Sequence, residues 1–249
     1  METIAGRRPV LEALRANHPL HRLVVADVEP RGTLLEIVRL ARERGIPVQT
    51  LSRDKLSALT QVPHQGVVAM VAAWEYVDID YLLEVSRRKG TPPFLVLAHE
   101  IADPQNLGSL IRTAEACGAD GLVVPRHRSA GLTAAIARAS AGAVEYLPVA
   151  RVTSTRQAVA DLKERGCWVV GLAAHAPTPI WEVDLGLPCA VVVGSEARGL
   201  GPALERDCDV LACLPMRGRI ASLNAAVAAA VAMYEVCRQR SSGQGGHEG

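Results

Sequence analysis

From Phe94 onward, short unbroken apolar runs alternate with segments whose apolar residues recur every three or four positions. The runs FLVLA (94–98), GLVVP (121–125), YLPVA (146–150), CWVVGLAA (167–174), CAVVVG (189–194) and VLACLP (210–215) predict strands. Helices are predicted near 106–117, 132–141, 154–165 and 200–206, with a last one from 225 to about 238. Strands apolar on both sides and separated by helices predict an α/β fold with a parallel sheet covered on both faces.

Residues 1–75 carry the same alternation on a smaller scale. RPVLEALRA (8–16) predicts a short helix, RLVVAD (22–27) a strand, and TLLEIVRLARERG (33–45) a helix. That helix has Leu35, Val38, Ala41 and Arg42 spacing and a stop at Gly45. PVQTL (47–51), a helix opening at Ser52, and GVVAMVAA (66–73) complete the unit. YVDIDYLLEVSRRKGTPP (76–93) reads as a connector containing one short helix, with the break at RRKG and TPP. The chain is therefore divided into a domain over 1–75, a linker over 76–92, a second domain over 93–240 and a disordered tail over 241–249.

Composition narrows the class. The chain has 249 residues, 49% hydrophobic and 21% charged, with only 3% aromatic, so its core must be aliphatic. A formal net charge of +1 does not announce a nucleic-acid partner, though a local basic face would suffice for one. No long apolar run follows Arg7 and Arg8, and no apolar segment is long enough to cross a bilayer. The six cysteines form no C-x-x-C pair, and neither they nor the histidines match a zinc ligand set. The expectation is a cytoplasmic protein with reduced thiols, no metal and no membrane partner.

An open parallel sheet invites a dinucleotide-binding reading. That reading needs a glycine-rich turn after the first strand, and HEIADPQNLGS has a single glycine. Small and polar residues gather instead in three loops, 101–112, 194–200 and 214–224, each just after a strand. Ligands bind at the carboxyl ends of strands in such sheets.

The segments in these loops are specific. DPQNLGSLIRTAEACGADGLVVP, VVVGSEARGLG and LPMRGRIASLNAAVAAAVAMYE resemble the three motifs of the SPOUT superfamily, in its SpoU/TrmH branch of RNA ribose 2′-O-methyltransferases. IAGRRPVLEAL and VPHQGVVAMV resemble the substrate-binding domain of the bacterial ribosomal RNA members, most closely the 23S rRNA guanosine 2′-O-methyltransferases. The resemblance implies a deep trefoil knot in the C-terminal domain, with S-adenosyl-L-methionine (AdoMet) bound there. It also implies a homodimer with the active site near the subunit interface, and an L30e-like RNA-binding domain at the N-terminus.

Residue by residue, the stretch 101–118 reads as a strand end at Asp103-Pro104, an N-cap at Asn106 and an apolar stripe of Leu107, Leu110, Ile111 and Ala114. Arg112 lies off that stripe, one turn beyond Gly108, and long helical side chains lean toward the N-terminus. Alone it would be a solvated arginine; within Asn-x-Gly-x-x-x-Arg it reads as functional. A guanidinium holds its proton too tightly to act as an ordinary base, so Arg112 suits a phosphate clamp and a stabiliser of developing alkoxide. Glu196 would orient Arg112 or accept from an RNA hydroxyl, against the plainer reading of a charge at a helix start. Ser222 and Asn224 read as helix caps and as site residues at once. The resemblance thus implies Asn106, Arg112, Glu196, Ser222 and Asn224 as catalytic. It implies Ala173, Gly194, Leu214, Met216 and Leu223 around the cofactor. Arg7, Arg8, His64, Arg126 and Arg128 are the candidate RNA contacts, although a strand-initiating turn explains His64 equally well. The family usually has glycine where Ala197 stands and often serine at Ala226. His99, where relatives often carry an acidic residue, receives no role.

Two alternatives stand beside an rRNA methyltransferase: a tRNA ribose 2′-O-methyltransferase, and a non-catalytic RNA-binding or assembly factor. The N-terminal domain argues against the first, and the intact motif residues against the second. The final helix, apolar almost all round, predicts a dimer interface over 225–237 with Val227, Val231 and Met233 in contact.

Overall fold

The computed structural model describes residues 1–220 and 222–243. In chain order the elements begin β1 (Glu2–Ala5), α1 (Arg7–Arg15), β2 (Leu20–Ala26), α2 (Thr33–Glu43), β3 (Val48–Leu51), α3 (Arg53–Ser57) and β4 (Val67–Val71). They continue with α4 (Ile79–Lys89), β5 (Phe94–His99), α5 (Pro104–Ala116), β6 (Gly121–Pro125), α6 (Ala134–Ala139), β7 (Val149–Val152) and α7 (Thr155–Glu164). The last are β8 (Trp168–Leu172), β9 (Thr178–Pro179), β10 (Cys189–Gly194), α8 (Gly201–Asp207), β11 (Val210–Cys213) and α9 (Ala225–Gly243).

Two compact units emerge, and their boundaries differ from the sequence division. The first comprises Met1–Glu75 together with Gly131–Tyr146, and the second Tyr76–Ala130 with Leu147–Gly249. The helix near 132–141, counted with the C-terminal domain on sequence, thus belongs to the N-terminal unit.

In the first unit a four-stranded sheet runs β1-β4-β2-β3, antiparallel except for the β2–β3 pair. Strand β1, too short for a sequence pattern, seals one edge against β4. The buried stripe of α2 is Leu34, Ile37, Val38 and Ala41, while Leu35 is 55% exposed. The spacing read on sequence begins at Leu35, whereas the buried stripe begins one residue earlier, at Leu34. Gly45 ends the helix at φ +66°, a backbone region that favours glycine.

Residues 131–146 are held to this unit by a buried polar cluster. His18 Nδ1 lies 2.9 Å from Glu145 Oε2, and its Nε2 lies 3.0 Å from the Ala72 carbonyl. Trp74 Nε1 donates to Glu145 Oε1 at 3.1 Å, and Tyr146 Oη to Glu12 Oε2 at 2.8 Å. Both ring nitrogens of His18 face acceptors, an arrangement that favours the doubly protonated imidazolium. The Glu145 hydrogen bond accordingly raises the His18 pKa above its ordinary value, against the opposing effect of burial.

The second unit is built on a seven-stranded sheet of order β7-β6-β5-β10-β8-β11-β9, parallel at every pairing. Leu95 and Leu97 of β5 point into a core shared with α4, α7 and α8, through Leu82, Val159 and Leu204 among others. Side chains alternate along a strand. The opposite face is accordingly taken by α5 and α9, which pack on β6 and β10 and on each other.

Three readings of the sequence are corrected here. The segment read as a linker holds α4, whose Leu82 and Leu83 are core residues of the second unit. The short helix expected there is thus part of the core and not a connector. Met233, expected at a dimer contact, is fully buried within the chain together with Ala229, Ala232 and Val236. The outer face of α9 instead presents Val227, Val231 and Tyr234, 45–57% exposed. Finally, α9 continues to Gly243, into the segment read as a disordered tail; residues 244–249 of that tail lie outside the described residues. Among the described residues, no helix is long and apolar enough to cross a membrane.

Candidate functional site

Strands β5 and β10 are adjacent although far apart in sequence, and their last residues, His99 and Gly194, are in register. The chain order reverses here, so the loops leaving both strands diverge and open a crevice. Into it come the start of α5, the loop 195–200 and the start of α9.

Asp103, not Asn106, caps α5: its Oδ2 accepts from the Asn106 N–H at 3.0 Å, with Pro104 in the first turn. Proline suits the first helical position because it has no N–H to satisfy, which moves the cap three residues earlier than expected. Asn106 is thereby left inside the first turn with its side chain free for other contacts. Its Nδ2 donates to Glu196 Oε1 at 3.1 Å. Asn224 Nδ2 donates both to Asn106 Oδ1 at 2.9 Å and to Glu196 Oε1. The Ala225 N–H adds a longer contact to the same Glu196 oxygen at 3.4 Å. Glu196 therefore binds Asn106 and Asn224 and does not orient Arg112.

Asn224 also caps α9, its Oδ1 accepting from the N–H groups of Ala226 and Val227 at 3.0 and 3.2 Å. A cap of this kind contributes about 1 kcal/mol. Capping and site contact thus coexist in one side chain.

A cavity of about 310 Å³ opens beside this network. Its walls include Ala173, Gly194, Leu214, Met216, Ser222 and Leu223, all singled out on sequence, together with Glu196. A Cβ on Gly194 would overlap the backbone of Gly199 and Leu200, where the loop folds back over the strand end. The glycine is therefore required by its own loop, not by the approach of a ligand. Ser195 and Gly199 pair across that loop, with the Gly199 N–H donating to the Ser195 carbonyl at 2.8 Å.

The cavity also contains residues that no motif had marked. His175 and Glu205 face each other at 3.5 Å on its wall, and Arg198 joins them. Arg198 lies inside GSEARGLG and was open to notice; His175 and Glu205 meet only through the fold. Apolar walls from Leu172, Leu214 and Leu223, with charged and hydroxyl groups among them, fit an adenosyl group carrying a zwitterionic tail. Among the described residues, no three His, Cys, Asp or Glu side chains converge as metal ligands.

Arg112 stands exposed on α5 and makes no hydrogen bond or ion pair with a described residue. Arg126 and Arg128 follow the carboxyl end of β6. Arg128 is engaged by Glu100 at 2.8 Å, and this pairing holds the Glu100 carboxyl below the usual range. In the N-terminal unit Arg7 binds Gln65 twice, through its N–H to Oε1 at 3.0 Å and its Nε to the carbonyl at 3.1 Å. His64 Nδ1 accepts from the Gly66 N–H at 3.0 Å, and its Nε2 lies 3.1 Å from Ser57 Oγ. The turn reading of His64 is therefore realised. Arg8 is exposed beside Arg7 in sequence.

Comparison with known proteins places these observations. Residues 93–234 match the model of the SpoU rRNA Methylase family, and residues 3–77 match that of the RNA 2′-O ribose methyltransferase substrate binding domain. A Bacillus subtilis protein described as "Putative TrmH family tRNA/rRNA methyltransferase YacO" is 43% identical over 96% of both chains. The AdoMet complex of the SpoU methyltransferase AviRb from Streptomyces viridochromogenes superimposes with a TM-score of 0.80 at 29% identity, covering 96% of this chain and 90% of that one. The AdoMet-bound rRNA methyltransferase from Sinorhizobium meliloti gives 0.78 at 26% identity, over 95% and 87%. By contrast, the A. aeolicus TrmH/SpoU tRNA modifying enzyme covers 66% of this chain and 86% of its own, with a TM-score of 0.57 at 25% identity.

Proposed function

The chain belongs to the SpoU rRNA Methylase family, and from that premise we propose that it methylates the ribose 2′-hydroxyl of a guanosine in 23S ribosomal RNA. It is an AdoMet-dependent RNA methyltransferase of the TrmH/SpoU type. The observation that carries the finer reading is the Asn106–Glu196–Asn224 network beside the cavity. Matching of the substrate-binding model to residues 3–77 supports the ribose 2′-hydroxyl as acceptor. Ribosomal RNA is supported by coverage: the rRNA methyltransferase matches nearly the whole chain, the tRNA-modifying enzyme about two thirds.

Bound AdoMet supplies an electrophilic methyl group on a sulfonium sulfur. Gly194, Ala173, Leu214, Met216 and Leu223 line the cavity and would hold it, and Ser222 presents a hydroxyl at the same cavity. Glu196 Oε1 is occupied by amide donors, which leaves Oε2 to accept from the RNA hydroxyl and fix its direction. Arg112, which makes no bond with a described residue, clamps the neighbouring phosphate and stabilises negative charge developing on the ribose oxygen. Arg8 and Arg126 contribute phosphate contacts, joined by Arg128.

The same reading takes the protein as a cytoplasmic homodimer. The exposed stripe of Val227, Val231 and Tyr234 on α9 supports an interface there. It also takes the C-terminal domain as knotted and the N-terminal sheet as L30e-like. Methyl transfer from labelled AdoMet to 23S rRNA and to tRNA, with alkaline-cleavage mapping of the product, is the deciding experiment. Label confined to tRNA would overturn the rRNA assignment, and label on a base would overturn the ribose assignment.

A further inference from the structure

Helices α5 and α9 begin together and end together. At their starts Asn224 bonds to Asn106 at 2.9 Å. Eleven residues further along α5 and thirteen further along α9, Cys237 Sγ lies 3.3 Å from the carbonyl oxygen of Cys117. At about 1.5 Å of rise per residue these spans are similar, so the two helices run side by side in the same direction. Burial, together with the contact to Cys237, pushes the Cys117 thiol up to about 12. Neither is sealed in the core: both are partly exposed free thiols on the wall of a surface cavity that also includes Thr91, Gly186 and Arg240. Elsewhere, Cys189 is held near the Arg240 guanidinium, and Cys208 donates to the Leu204 carbonyl.

We propose that Cys117 and Cys237 form a reversible modification site for two-electron oxidants of the peroxide class, closing to a disulfide that staples the far ends of α5 and α9. The Cys237 thiolate attacks one peroxide oxygen; the O–O bond breaks, and the departing hydroxide takes up a proton to become water. Cys237 is then a sulfenic acid. The Cys117 sulfur displaces its oxygen, the S–S bond forms, and a second water leaves with the Cys117 proton. Two thiols lose two electrons and hydrogen peroxide gains them. Cys237 is assigned the first attack because burial holds the Cys117 pKa above its ordinary range. The bond joins residues 120 apart in sequence, so it restricts the unfolded chain strongly.

The test uses the full-length protein, reduced, treated with hydrogen peroxide and quenched with iodoacetamide. Non-reducing peptide mapping is expected to recover a cross-linked pair containing Cys117 and Cys237, which dithiothreitol separates. The oxidised protein is expected to melt roughly 5 °C or more above the reduced one. That gain should be absent from Cys117→Ser and Cys237→Ser. In Cys117→Ser, the sulfenic acid on Cys237 should persist and react with dimedone. Recovery of both residues alkylated, oxidised separately to sulfinic acid, or paired with other cysteines would overturn the proposal.

Discussion

Asn224 and Asn106 are joined by a hydrogen bond of 2.9 Å that ties the first turn of α9 to the first turn of α5 across 118 residues of sequence. Each amide also reaches the same carboxylate oxygen of Glu196. The three side chains form a closed ring of contacts, so altering any one breaks a contact to each of the other two. Replacing Glu196 with Ala leaves two amides without their shared acceptor. Methyl transfer should fall on the order of 100-fold, measured as single-turnover rate at saturating AdoMet. A rate within a few-fold of the parent protein would remove Glu196 from the site.

Arg112→Ala tests the other half of the assignment. The side chain is exposed and makes no bond with a described residue, so folding should be untouched. AdoMet affinity by calorimetry should be retained, while transfer to RNA should drop by 100-fold or more, roughly the loss of one charge-stabilising donor. Equal losses in both assays would mean that the residue serves the cofactor.

Gly194→Ala acts through the fold. A single methyl group collides with the Gly199–Leu200 backbone and forces the loop 195–200 away from the strand end. AdoMet binding should be lost, and the thermal midpoint should fall, since overpacking costs about 1–3 kcal/mol. An unchanged midpoint would show that the loop has room to shift.

The His18 imidazolium predicts a pH dependence. Its folded pKa is raised, chiefly by the Glu145 hydrogen bond, with Arg44 opposing. The stabilisation is therefore complete below the unfolded value of about 6.5 and is lost as pH rises through the folded value. The thermal midpoint should decline over that interval, and His18→Gln should flatten the decline. Losing one partner of a buried ion pair costs about 3–5 kcal/mol, so His18→Gln should also lower the midpoint at pH 6.

Val231→Asp separates association from folding. Val231 is 45% exposed in the single chain, so a charge there is tolerated by the monomer but not at an apolar contact. Light scattering should show the parent protein as a dimer and the variant as a monomer with an unchanged circular dichroism spectrum. A monomeric parent protein at micromolar concentration would remove the interface.

The sequence exposed what periodicity and local chemistry control. The central strands were legible because each is a short apolar run between helices, and the three loops because small and polar residues follow those runs directly. What it hid depends on partners. The pattern of α9 could not distinguish its faces, because alanine serves both buried and exposed positions; only packing on α5 and β10 shows that Met233 is internal. Asn106 looked like a cap because its type favours caps, yet Pro104 had already set the helix start at Asp103. The meeting of His175 with Glu205 leaves no trace in either local stretch.

The grouping of residues 131–146 with the first 75 has a consequence for engineering. A catalytic fragment cannot be obtained by one cut near Pro93, because that cut discards α4, with Leu82 and Leu83, and strands a segment whose Glu145 has lost His18. The second unit is two stretches of chain, and isolating it requires a start near Tyr76 and a short bridge from Ala130 to Leu147. For the same reason, exchanging the N-terminal module between relatives takes two coordinated grafts. A chimera joined at a single point would inherit an insertion fitted to a sheet it no longer has.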